Sequence, residues 1–156
     1  MNEYLEEAKE ELKRLEHIIY VSLKYTRTVD ILRNGINRLI STCDFLVEAI
    51  LEDAKEKGHL PSIPPSPALR NRLVPKIYPE DTILLKFITF SMYLRDIIHA
   101  KFDRREEYRR HVTMIAKLED STSETKIDNL VNLEKFAYGF FDYVLEFLEG
   151  KPLEDD

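Results

Sequence analysis

Arg95, Asp96 and His99 fall within one short run, Leu94-Arg95-Asp96-Ile97-Ile98-His99. Four positions apart on a helix, Arg95 and His99 would share a face. An imidazole can take or give a proton near neutral pH, and a guanidinium can hold and neutralise a phosphate. Those two tasks suffice for RNA cleavage without a metal: the histidine activates a 2′-hydroxyl and the arginine steadies the charged phosphorane. Arg95, Asp96 and His99 are therefore the candidate catalytic residues. The competing reading is structural, with Arg95 paired to an acid and His99 favoured at a helix end by the macrodipole.

A second group follows in DRREEYRRH. Arg104, Arg105, Arg109, Arg110 and His111 surround Tyr108 and form the one basic cluster of the sequence. Cations with an aromatic between them suit a single RNA strand, whose phosphates need neutralising and whose bases stack. Against this, Glu106 with Arg110 and Glu107 with His111 are four-residue pairs, as on a solvated helix face.

Other chemistries are excluded by what is missing. With four glycines there is no phosphate-cradling loop, and HExxH, CxxC and GxSxG are absent. The four histidines are scattered, and only Glu56 and His59 make a Glu-x-x-His pair where a di-iron carboxylate bundle needs two, so no metal centre or cofactor is expected. Cys43 is alone and lies on an apolar seam, where a buried small hydrophobe is the expected role. A net charge of −6 and a pI near 5.3 argue against general coating of duplex nucleic acid.

The elements that must position these residues read as helices. An amphipathic helix is predicted over residues 3–24, with Leu5, Ala8, Leu12, Leu15 and Ile19 as its stripe. A break near 25–30 separates it from a second helix over 29–57, where Val29, Leu32, Ile36, Leu39, Cys43, Leu46 and Ile50 keep bundle-seam spacing. The segment 59–78, with Pro79 after it, holds six of the seven prolines. It is expected to be a strap over the bundle end, with at most a helical turn at 67–73 capped by Ser66.

Residues 79–103 are expected to form a central helix that starts at Pro79 and is apolar almost all round, hence buried among its neighbours. Its apolar run is shorter than the roughly 20 residues that span a bilayer, and Lys86 and Arg95 interrupt it. A shorter helix from about Asp103 to Leu118 is predicted next, with Tyr108, Val112, Ile115 and Leu118 inward. A polar loop at 119–126 leads to a last helix over 127–149, in which Gly139 would admit a close neighbour. Gly150 and Pro152 end it, and residues 151–156 form an acidic tail.

This helix order, with Arg95-Asp96 followed by His99, resembles the HEPN family of small helical proteins. The match covers about the central two-thirds of the chain and departs from the family pattern in two places. Three residues separate Arg95 from His99 instead of four to six, and Phe102 stands where a tyrosine near the histidine is common. Arg105 and His111 keep the family spacing, but Glu106 follows the arginine. The resemblance implies a homodimer with facing motifs, often a metal-independent RNase toxin paired with a nucleotidyltransferase antitoxin.

The expected fold is thus all-α: one domain over 1–156, an up-and-down bundle of four to five helices with a proline-rich connecting strap. A lone cysteine, a polar acidic start and a Glu/Lys-rich composition without Gln or Trp predict a cytoplasmic protein of thermophile type, without membrane insertion. The function expected is RNA cleavage or RNA binding by a dimer, the alternative being a non-catalytic protein-interaction module.

Overall fold

The computed structural model describes residues 2–150, so the acidic tail expected at 151–156 lies outside the described residues. Helix α1 (Glu3–His17) starts where the Asn2 side chain accepts the Leu5 N–H at 2.8 Å. It buries Leu5, Ala8, Leu12 and Leu15 as the stripe predicts. Glu11 is buried with them and is held by Arg14 and Arg38. The helix continues through a π-helical turn (Ile18–Ser22) into α2 (Leu23–Tyr25). Thr26 and Thr28 are extended, which is the break expected near 25–30. Thr28 then caps α3 (Val29–Glu56), the 28-residue spine of the molecule, which closes with Gly58 at φ +82°.

The proline-rich strap contains more helix than expected. Ser66 caps α4 (Pro67–Ile77), with Pro67 in its first turn and Pro75 near its end. The first proline removes a donor that a first turn does not use, and the second forfeits one bond close to the terminus. Helix α5 (Thr82–His99) begins three residues later than the expected Pro79 and is capped by Asp81, whose side chain accepts the Leu84 N–H at 3.0 Å. The Tyr143 hydroxyl donates to the same carboxylate at 2.6 Å. Nor is α5 buried all round. Leu84, Phe87, Ile88, Leu94 and Ile97 face the core, while Ile83, Met92 and Tyr93 face solvent.

The helix expected over 103–118 does not form. The chain instead makes an antiparallel sheet of β1 (Lys101–Arg105), β2 (Thr113–Lys117) and β3 (Thr122–Thr125), in that order. The last strand takes up half of the polar loop expected at 119–126. In β2 Met114 and Ala116 are fully buried and Ile115 between them is partly exposed, while Thr113 at the strand's start is buried as well. Tyr108, expected inward, is exposed in the connecting loop. The fold is therefore mostly helical with a small three-stranded sheet, not purely all-α.

Helix α6 (Ile127–Glu149) runs back along α1 and α3 and ends at Gly150, φ +71°. The close approach expected at Gly139 occurs at Gly35, where a Cβ would stand 2.7 Å from Leu130 Cδ2. At Gly139 the corresponding distance to Phe87 is an ordinary 3.9 Å. Cys43 is wholly buried, as expected, and burial pushes its thiol pKa well up. No helix among the described residues is long and apolar enough to cross a membrane.

One buried acid on α6 gives a pH-dependent expectation. Glu134 accepts the Tyr20 hydroxyl at 2.9 Å, and burial raises its carboxyl pKa above the ordinary 4.5. The folded chain then holds the proton more tightly than the unfolded chain. Stability is full below the ordinary value and falls as pH rises toward the raised one. Glu134→Gln should therefore raise Tm at pH 7 and leave it unchanged near pH 4, as read by thermal melts.

Candidate nucleic-acid interface

The catalytic candidates occupy the last turns of α5 and divide there. Arg95 turns toward α3, and both Asp44 carboxylate oxygens accept from its Nη2. Their side chains are only 20% and 24% exposed, so each neutralises the other largely out of water. Asp96 is exposed and is not the partner of Arg95. His99, the final residue of α5, stands in solvent beside the start of β1. The run thus presents one exposed imidazole and one engaged guanidinium.

An arginine not singled out in the sequence fixes this corner. Arg33 of α3 donates to the Ile98 carbonyl at 3.1 Å and lies over the Phe102 ring, 4.1 Å from its centroid. It ties the end of α5 and the first strand to the spine. Arg104 packs on the same ring and pairs with Asp30 at 3.0 Å, and Arg105 pairs with Glu124 at 2.8 Å. Two of the four arginines in the basic cluster therefore hold the hairpin in place.

The loop between β1 and β2 is docked by its backbone. The Tyr108 N–H donates to the Arg27 carbonyl at 2.6 Å, and Glu107 accepts the Val29 N–H at 2.7 Å, serving the start of α3. Within the loop the Val112 N–H donates to the Arg109 carbonyl at 3.0 Å. Glu106 and Tyr108 take φ of 57° and 68°, a left-handed backbone that non-glycine residues adopt at a cost. That conformation carries the Tyr108 ring into solvent, where the residue is 75% exposed.

Around it Arg109, Arg110 and His111 are also exposed. Among the described residues neither Arg109 nor Arg110 has an ion-pair partner. Tyr25, 80% exposed, ends α2 just before the link on which the loop docks. Its one signal in the sequence was an aromatic at the helix break.

Among the described residues no group of His, Cys, Asp and Glu side chains could hold a metal ion. Compared with protein-family models, curated proteins and solved structures, the chain matches none.

Proposed function

We propose that the chain binds single-stranded RNA through the hairpin tip. Tyr108, and Tyr25 two residues before the Arg27 carbonyl on which Tyr108 docks, supply faces for base stacking, while Arg109, Arg110 and His111 meet phosphates. The observation that carries this reading is the Tyr108 backbone: a strained conformation, fixed by the Arg27 carbonyl, holds a large aromatic in water beside two unpaired guanidinium groups. The loop backbone serves the fold by docking on Arg27 and bringing Glu107 to the start of α3, but the exposed ring and the two guanidinium groups are left unengaged. The overall charge of −6 is compatible with it, because the field that matters is local.

As a HEPN-like protein the chain would act as a homodimer, possessing RNA-cleaving activity in which His99 takes the 2′-hydroxyl proton. A nucleotidyltransferase-type partner belongs to the same resemblance. Arg95 contributes structure in this reading, since Asp44 already occupies it. The second reading, a protein-interaction module, draws on Ile83, Met92, Tyr93 and Phe136, apolar side chains left open on α5 and α6.

Fluorescence anisotropy with a labelled ten-nucleotide oligouridylate tests the RNA reading. Affinity should fall with salt, by roughly 0.7 in slope for each phosphate neutralised. The Arg109→Ala/Arg110→Ala variant should lower that slope by about 1.4, with Tm unchanged. Binding that is absent at low salt, or indifferent to this variant, would favour the interaction module.

A further inference from the structure

At the opposite end of β1 from the tip, α5 gives way to the sheet around a shallow groove of about 480 Å³, lined by His99, Lys101, Phe102, Asp103 and Lys117 among others. Lys101 and Lys117 are directly opposed in the β1–β2 register. Like charges facing each other across a strand pair are destabilising. One carboxylate is at hand, Asp103, and it pairs with Lys117 at 2.9 Å. Lys101 has no ion-pair partner among the described residues. Lysines are common on edge strands, where they discourage strand addition, and Lys101 on the edge strand β1 fits that role, but Lys117 opposite it lies on the central strand and does not.

We infer that this groove binds a phosphoryl group, held between the Lys101 and Lys117 ammonium groups with the His99 imidazole beside it. An anion placed there turns the cross-strand repulsion into attraction, and lysine provides the mobile point charge that an isolated phosphate needs. The phosphoryl group can come from free phosphate or from a phosphodiester. His99 thereby gains neighbouring cations that Arg95, bound to Asp44, does not supply. The site stands independently of RNA binding at the tip.

An NMR titration of the full-length chain, labelled with ¹⁵N, tests it by following the Lys101 and Lys117 amides and the His99 ring. Inorganic phosphate is the ligand in one arm and the dinucleotide UpU in the other. Saturable shifts at these positions are expected in at least one arm, and the tighter arm identifies the source. Lys101→Gln should weaken binding about tenfold while leaving Tm unchanged or slightly higher, because the lysine repulsion is relieved. Lys117→Gln should weaken it similarly. Non-saturating shifts in both arms, or shifts that Lys101→Gln leaves intact, would overturn the inference. Tyr108→Gly should not affect this titration, so failure at the tip and failure in the groove are separately visible.

Discussion

Replacing Asp44 with alanine should destabilise the chain by about 2–4 kcal/mol, lowering Tm by roughly 4–16 °C. The Arg95 guanidinium would be left without its partner, and its Nε already lacks one. Breaking a fully buried pair costs about 3–5 kcal/mol, and the residual exposure of both side chains reduces that figure. The joint replacement Asp44→Leu with Arg95→Met removes both charges and should recover most of the loss. Neither change should alter RNA affinity per folded molecule. A drop in affinity in the stable double variant would return Arg95 to the role of phosphate holder.

Phe140→Ala is expected to cost about 3–5 kcal/mol, measured by denaturant unfolding. Phe140 is fully buried on α6 and stacks on Phe87 of α5, with centroids 4.8 Å apart and rings 3° from parallel. Phe87 also meets Phe136 at 5.0 Å and Tyr143 at 5.8 Å. This aromatic seam fastens α5 to α6 and so holds the end of α5 from which the sheet departs. Truncation leaves a cavity beside the Phe87 ring, which its own contacts with Phe136 and Tyr143 hold in place, and that limits collapse. Phe140→Leu fills most of that space and should cost less than half as much. A loss under 1 kcal/mol for the alanine variant would show that α5 is held elsewhere.

The helices that depend on local pattern were legible. The stripe of α1, the seam of α3 with Gly58 after it, and α6 ended by Gly150 all stand near their expected limits. The segment 103–118 was misread because Glu–Arg pairs four residues apart suit a helix surface and a hairpin loop equally well. The overlooked signal was the short, largely apolar run Val112-Thr113-Met114-Ile115-Ala116, which suits a buried strand and which the charged stretch before it outweighed. In the candidate site the cations themselves were visible in DRREEYRRH, but their availability was not. Arg104 and Arg105 are held by Asp30 and Glu124, distant in sequence, and Arg95 by Asp44. No local pattern announces such partners, and only the fold brings them together.

The most direct test of RNA binding at the tip is the pair of values Tm and RNA affinity for Tyr108→Gly. Glycine adopts φ of 68° freely, so removing the side chain should stabilise the fold by about 1 kcal/mol and raise Tm by about 2–4 °C. Loss of a stacking face should at the same time weaken single-stranded RNA binding by about fivefold to about 150-fold. A more stable protein that binds RNA less well is the predicted result, with the strained tyrosine retained for its ligand. A more stable protein with unchanged affinity would contradict it.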